Sequence, residues 1–454
     1  MEEKILALIE ERKFGELKNM LSEMQPPDIA AIFEEAPEKD IPIIFRILPK
    51  ELAAEVFVEM DSDMQQLLIA AFSDKELHDV IDELFMDDTV DIIDEMPATV
   101  TKRILKQTDP KTRQMINQLL AYPDDSAGSI MTTEYIDLKK SMTVEKAFDR
   151  IRKIGFESET IYSCYVTDAG RHLLGIVSVK DLLLNPKEEI IGNIMDENVI
   201  FANTLDDKEY VAGLFEKYDM LALPIVDKEE RLVGIVTVDD AIDVLQEEAT
   251  EDIEKMAAIL PSEHSYFKTS VFDTFKARIP WLMLLMISAT FTGAIISGFE
   301  DKLINFGALI AFIPMLMDTG GNSGSQASVT VIRAISMGDI EFSDILRVLW
   351  KEIRVAFMCA TALVSINFIK LFFVDNLLLG NFDNGKVIVE ICVVSATLFC
   401  AIVVAKIIGC SLPILAKKIG FDPAVMASPL ITTIVDAISL IIYFFMANLM
   451  LGAV

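Results

Sequence analysis

The sequence predicts three fold classes joined in one multidomain chain: an α-helical solenoid, a duplicated α/β unit, and an all-α membrane region of five helices. Three observations carry that expectation. Residues 25–120 repeat with a period of 12, residues 128–250 hold β-rich runs that occur twice, and the second half carries five long apolar stretches. Those stretches lie near 280–298, 303–335, 345–373, 386–416 and 424–452, each comparable to the roughly 20 residues that cross a bilayer. The boundaries that follow are 1–124 for an acidic helical N domain, 125–246 for the tandem α/β unit, 247–275 for a connecting helix and 276–454 for the membrane domain.

In the N domain one apolar position keeps strict register through Ile32, Ile44, Val56, Leu68, Val80, Ile92, Ile104 and Ile116, and Pro37, Pro49 and Pro97 punctuate the same register. A spacing of 12 residues allows one short helix and one turn per unit. Pairs of units are therefore expected to stack as helical hairpins, offering surface rather than chemistry.

The α/β part repeats once. GSIMT (128–132) is echoed by GNIMD (192–196), and LLGIVSVKDLL (173–183) by LVGIVTVDDAI (232–242). In each copy a strand with Gly175 or Gly234 near its start leads through Ser178 or Thr237 to Asp181 or Asp240 at a helix entrance. This resembles a tandem pair of CBS domains, which bind adenosine nucleotides or metal ions between their copies. The resemblance implies that the hydroxyl and the Asp contact phosphate and ribose, so Ser178, Asp181, Thr237 and Asp240 become candidate ATP-binding residues. The same Asp positions can instead cap their helices.

Residues 239–260 keep a helical apolar stripe of Ile242, Leu245, Ala249, Ile253 and Met256, with Asp240, Asp243, Glu247, Glu248, Glu251, Asp252 and Glu254 crowding other positions. Like charges four apart weaken a helix by a few tenths of a kcal/mol per pair, so Asp243, Glu247 and Glu251 call for something cationic nearby. Pro261 is expected to end this helix, and a second amphipathic stretch to reach Pro280 at the start of the first span.

Charge divides the chain. Its net charge of −31 comes from 40 Lys and Arg against 71 Asp and Glu, yet residues 261–454 hold 13 basic and 14 acidic residues, which leaves about −30 in the first 260. Phosphate backbones need a basic surface, so nucleic acid is not an expected partner. The N-terminus MEEKILALIEERKFG lacks a basic segment followed by a long apolar core, so no cleavable signal is expected. Lys276, Arg278, Arg333, Arg347, Lys351, Arg354, Lys417 and Lys418 fall on one side of the proposed spans, and Glu300, Asp301, Lys302, Asp375, Asp383 and Lys386 on the other. By the positive-inside rule the N-terminal domains are cytoplasmic, the C-terminus is extracytoplasmic, and the protein is multi-pass in the cell membrane. The five cysteines suit reduced packing residues, and His78, His172 and His264 have no ligand spacing.

Polar groups at membrane depth point to function. PMLMDTGGNSGSQ (314–326) places Pro314 to kink a helix, Gly320, Gly321 and Gly324 to admit a close neighbour, and Asn322 and Gln326 four apart on one side. Asp436 sits mid-way along the fifth stretch and Asp422 at its entrance. An ionisable group at the centre of a lone helix costs roughly 3 kcal/mol on insertion scales, so it is expected to face a pathway or a partner.

At this point the whole chain resembles the MgtE family of magnesium channels and transporters. The carriers are the motif at 314–326, DSAGSIMT at 125–132, EEATEDI at 247–253, and DPA at 422–424 with Asp436; Asp318 departs from the neutral residue expected at its position. The resemblance implies a homodimer whose pore lies on the two-fold axis, Asp436 of both subunits binding hydrated magnesium, and closure by magnesium bound among acidic residues of the N domain, CBS pair and connecting "plug" helix. Magnesium prefers six oxygens at about 2.0–2.1 Å and gives up water reluctantly, so one or two carboxylates suffice to hold it. Asn322, Asp422, Asp436 and Thr432, with Thr433 as an alternative acceptor, form the candidate pore set.

Acidic surfaces repel until cations enter, and moving an equilibrium from 1:99 to 99:1 takes about 5.5 kcal/mol. Asp88, Asp91, Asp94, Asp207, Asp219, Asp240, Asp243, Glu248, Glu251 and Asp252 are the candidate sensor carboxylates. A membrane-tethered enzyme is the competing class; the sequence offers it no nucleophile beside a base and no Walker-type phosphate loop. Transport of cobalt or manganese is the nearer alternative, while oxygen-only ligands argue against zinc.

Overall fold

The computed structural model describes residues 2–261, 266, 269–303, 307–378, 387–426 and 428–451. It divides into two compact units, Met1–Leu245 and Gln246–Val454.

In the first unit the 12-residue period becomes one helix per repeat: Pro26–Glu35, Ile41–Phe45, Lys50–Val58, Ser62–Ala71, Asp74–Ile81, Met86–Glu95, Ala98–Gln107 and Pro110–Leu119. All eight register residues from Ile32 to Ile116 are buried. At five of these eight helices the preceding residue marks the start, because Asp61, Ser73 and Asp109 cap with their side chains while Pro49 and Pro97 fill the same position with ψ of 151° and 143°. Most of these helices pack on the next but one, as in the series from Pro26–Glu35 through Lys50–Val58 and Asp74–Ile81 to Ala98–Gln107. Their core is continuous with that of the second α/β copy, through Ala127, Val211, Leu223, Val236 and Val244.

Each α/β copy is a three-stranded sheet with the same topology. β1 (Ile136–Lys139) runs parallel to β2 (Ser163–Thr167), which pairs antiparallel with β3 (Leu173–Ser178); β4 (Ala202–Asn203), β5 (Ala222–Val226) and β6 (Leu232–Thr237) repeat the order. The two repeated motifs interlock crosswise. A Cβ on Gly234 would meet the Thr132 carbonyl at 2.7 Å and Met131, and a Cβ on Gly175 would meet the Asp196 carbonyl at 2.8 Å and Met195. The Met of each copy's opening motif therefore lies over the strand glycine of the other.

The connector differs from one helix over 247–275. A single helix, Val238–Met256, begins at the second copy's Asp240 region and stops before Pro261, with Ala258 in the left-handed region at φ 56°. The next begins at Val271 and runs through Pro280 to Leu303, so Pro280 is interior to the helix and not at its start.

Among the described residues the second unit has five long helices after the connector: Val271–Leu303, Ile313–Ser336, Ile345–Lys370, Val387–Lys418 and Ser428–Leu451. Among the described residues four segments are long and apolar enough to cross a membrane, Val271–Gly298, Phe342–Leu377, Val387–Lys418 and Pro423–Met450. Ile313–Ser336 falls outside that set; its glycines and polar residues dilute its hydropathy. Pro314 does not kink this helix. It lies in the first turn, where a missing N–H costs nothing.

Candidate functional site

Asp436 is positioned by a close helix crossing. A Cβ on Gly321 would lie 3.5 Å from the Asp436 Oδ1 and 3.1 Å from the Thr432 Cγ2, and one on Gly320 would lie 2.8 Å from the Ser439 Oγ. One turn on, Gly324 meets Gly409 of Val387–Lys418 backbone to backbone. The glycines thus let Ile313–Ser336 approach both the last helix and Val387–Lys418 more closely than side chains would permit. Thr432 and Thr433 both donate to the Pro429 carbonyl at 2.9 Å, so their hydroxyl oxygens remain available as acceptors. Asp318, Asn322 and Gln326 follow one another at four-residue spacing along an exposed stripe of Ile313–Ser336, and the charge of Asp318 acts on Asp436.

Asp422 does not join this group. Its Oδ2 lies 2.7 Å from the Lys255 Nζ, and its Oδ1 accepts from the Ala424 N–H at 2.8 Å. Lys255 also pairs with Glu251 at 2.8 Å, while Asp252 accepts from the Ser336 hydroxyl at 3.1 Å. Of the crowded connector carboxylates Asp243, Glu247 and Glu251, Lys255 pairs with Glu251, four residues away.

A second acidic group forms where the helix Met86–Glu95 begins. Burial, then the charges of Asp240 and Asp239, push the Asp88 carboxyl up to about 6. Burial and neighbouring carboxylates likewise push Glu159 up to about 8, with Asp88 and Asp240 the leading charges. Asp240 is raised to about 6 by burial first, against the pull of the Thr237 hydroxyl, and Asp87, 7% exposed, is held well above the carboxylate range by burial and by Asp240. Asp243 and Glu59 form a flank: burial raises both, and Asp243 adds to the rise of Glu59. No Lys or Arg ion-pairs with Asp87, Asp88, Glu159 or Asp240 among the described residues. Nor, among those residues, do three His, Cys, Asp or Glu side chains converge closely enough to hold a bare metal ion.

The two repeated Asp residues stand third in their helices and bond back to the hydroxyl residue before the helix; in the first copy the Asp181 N–H also donates to the Ser178 hydroxyl at 3.1 Å, closing a capping box. The Ser178 hydroxyl donates to Asp181 at 2.5 Å and the Thr237 hydroxyl to Asp240 at 2.5 Å, each Asp also accepting from the backbone N–H of its partner. Their surroundings differ, since only Asp240 stands among the carboxylates of the N domain.

Of the sequence-derived sensor residues, Asp88 and Asp240 come together, Asp243 meets Glu59, and Glu251 and Asp252 meet near Asp422. Asp207 caps the helix Lys208–Tyr218, and Asp219 ends it at φ 51°. Asp91 and Asp94 are exposed on Met86–Glu95, and Glu248 lies on the connector helix. The sequence reading missed Asp87, Glu159, Glu134, Asp239, Glu59 and Lys255. The doublets Asp87-Asp88 and Asp239-Asp240 at helix entrances, and Lys255 one turn from Glu251, were available signals; Glu159 and Glu59 had none, being brought in from distant loops and helices.

The chain matches family models in order along its length: the MgtE intracellular N domain over residues 24–125, the CBS domain over 127–188 and 191–247, and the divalent cation transporter MgtE over 313–446. It is 34% identical to the magnesium transporter MgtE of Thermus thermophilus over the whole of both chains. It is 33% identical to that of Bacillus subtilis, with 98% of this chain and 96% of the relative covered. Among solved structures, the cytosolic domain of the Mg2+ channel MgtE in complex with ATP is similar at 33% identity and a TM-score of 0.52, covering 54% of this chain and all of that one.

Proposed function

We propose that this chain, which belongs to the MgtE family of divalent cation transporters, passes hydrated magnesium through a path lined by Asp436, Thr432 and Asn322 of two subunits. The observation that carries the reading is Asp436 itself, a carboxylate midway along an apolar helix, set against Gly321 so that its oxygens are not smothered by a neighbouring side chain. The exposed Asp318–Asn322–Gln326 stripe supports a second copy across the two-fold, because such a face is costly against lipid. Five spans, a cytoplasmic N-terminus and an extracytoplasmic C-terminus complete the arrangement, with Ile313–Ser336 shielded from lipid by its neighbours. Magnesium keeps most of its water, so two carboxylates and hydroxyl or amide oxygens can hold it without a protein cage. The test is magnesium flux into liposomes: Asp436→Ala is expected to abolish it in a protein that still purifies as a dimer, and wild-type flux in that protein would remove Asp436 from the pathway.

Closure by cytoplasmic magnesium is assigned to the acidic group around Asp87, Asp88, Glu159 and Asp240, with Asp243 and Glu59 beside it. A hydrated divalent ion reaches several carboxylates through its waters, which suits a cluster too open for direct coordination by three. The nucleotide position is assigned to Ser178 and Asp181 of the first copy. At the second copy the triphosphate of ATP would meet the uncompensated charge of Asp87, Asp88 and Asp239. Calorimetry with ATP is expected to give binding that Asp181→Ala weakens and Asp240→Ala does not; equal losses would return the second copy to consideration.

A further inference from the structure

The end of the connector is held in the second unit by a cation that the protein itself supplies. Lys255 lies between Glu251 at 2.8 Å and Asp422 at 2.7 Å, on the last turn of the helix Val238–Met256. Burial works against its charge, yet the two carboxylates hold its pKa above the ordinary lysine value. The contacts around it act on the same segments: Asp252 accepts from Ser336, and Met256 packs with Ile332 and Ala424. Three connector positions within two turns, Asp252, Lys255 and Met256, are thus tied to the end of Ile313–Ser336 and to the segment that enters the last helix.

We propose that Lys255 is a positioning residue for conduction: standing where a metal ion would otherwise be needed, it keeps the connector seated on the segments leading into both pore-lining helices when no divalent cation is present. The inference rests on assigning the pore to those two helices. Without Lys255, the carboxylates of Glu251, Asp252 and Asp422 would face one another uncompensated, and the junction would need an ion to close. With it, the junction is preassembled, and magnesium sensing is left to the first unit, whose cluster has no such cation. Motion of the first unit can then be transmitted through a contact that does not itself come and go with magnesium.

The test is cross-linking in the full chain, reconstituted in lipid nanodiscs with its native cysteines replaced. Met256→Cys and Ile332→Cys are joined with a short bifunctional thiol reagent, in EDTA and in saturating magnesium. With Lys255 intact, the yield is expected to be the same in both. Lys255→Met should lower the EDTA yield roughly three- to tenfold, the range that two partly exposed ion pairs support, and magnesium should restore it; Lys255→Arg should behave as Lys255 does. In parallel, the flux remaining at vanishing cytoplasmic magnesium should change in Lys255→Met and be rescued by Lys255→Arg. A cross-link that already needs magnesium with Lys255 in place overturns the proposal, and that arm requires no substitution at the lysine. So does a Lys255→Met protein that cross-links in EDTA like its parent. Failure of the pore assignment itself would appear separately, as flux surviving Asp436→Ala.

Discussion

Two acidic clusters in this chain solve the same electrostatic problem in opposite ways. Asp87 and Asp88 of the N domain, Glu159 of the first CBS copy and Asp240 of the second are drawn together, with no ion-paired Lys or Arg among the described residues, and their carboxyls are pushed upward by burial and by one another. Glu251, Asp252 and Asp422 meet around Lys255, which neutralises part of their charge. The first arrangement is satisfied only by something from outside, a proton or a cation. The second is satisfied in part from within. A surface that must bind an ion to close can report ion concentration, whereas one that carries its own cation can only transmit.

The comparison breaks most sharply if the first cluster is given the device of the second. Glu159→Lys would put an ammonium beside Asp88 and Asp240, and it is expected to remove most of the magnesium dependence of amide protection in the helix Met86–Glu95, measured by hydrogen exchange on the full chain. Protection without magnesium should rise toward the magnesium-bound level of the parent. If magnesium still raised protection as strongly in the Glu159→Lys protein, the cluster would not be the place where the ion acts.

A smaller effect, and one that sharpens the contrast, is expected from pH alone. Asp88 and Asp240 titrate near 6 and Glu159 near 8 in the folded protein, above the roughly 4 of free carboxyls. Folded-state values raised in this way mean that the folded form binds more protons than the unfolded form. The contact is therefore strongest below about pH 4 and weakens as pH rises from there through about 8. Protection of Met86–Glu95, corrected for intrinsic exchange, should fall over that window in EDTA, and magnesium should matter more at pH 8 than at pH 5.5. The Lys255 junction should hold across the same range, because its ammonium stays charged. Flat protection of Met86–Glu95 across the window would contradict the electrostatic account.

How much of this was legible beforehand follows from the range of each interaction. The 12-residue register named the buried side of every N-domain helix, because burial of Ile32 through Ile116 repeats with the chain itself. The paired GSIMT/GNIMD and GIV strands marked two copies of one fold, and Asp436 and the glycine run stood out because lipid tolerates few polar groups. What stayed hidden depends on contacts between distant segments. Asp422 reads as a pore residue beside its span, but Lys255, far away in sequence, takes its carboxylate. Pro314 reads as a kink until the helix is seen to begin at Ile313. Glu159 carries no local signal; it lies between the helix Val144–Ile154 and β2, and only the fold of the first unit brings its charge to Asp88.

The smallest expected effect separates the two CBS copies, whose Asp side chains bond back to the preceding hydroxyl residue in the same way. Asp181 and Asp240 each accept a hydroxyl at 2.5 Å and a backbone N–H at 3.3 Å, and losing a cap costs about 1 kcal/mol in an ordinary setting. Asp181→Ala should therefore destabilise the first turn of Val179–Leu184 by about that amount, read as roughly fivefold faster local exchange at pH 8. At Asp240 the same substitution removes a carboxylate that burial and Asp239 already penalise. The relief opposes the lost cap, so exchange at the start of Val238–Met256 should change little and protection of Met86–Glu95 should rise. Two equal losses would show that the caps outweigh the charges around them. A loss confined to Asp181 would mean that one sequence motif serves as a plain helix cap in the first copy and as a strained, ion-dependent contact in the second.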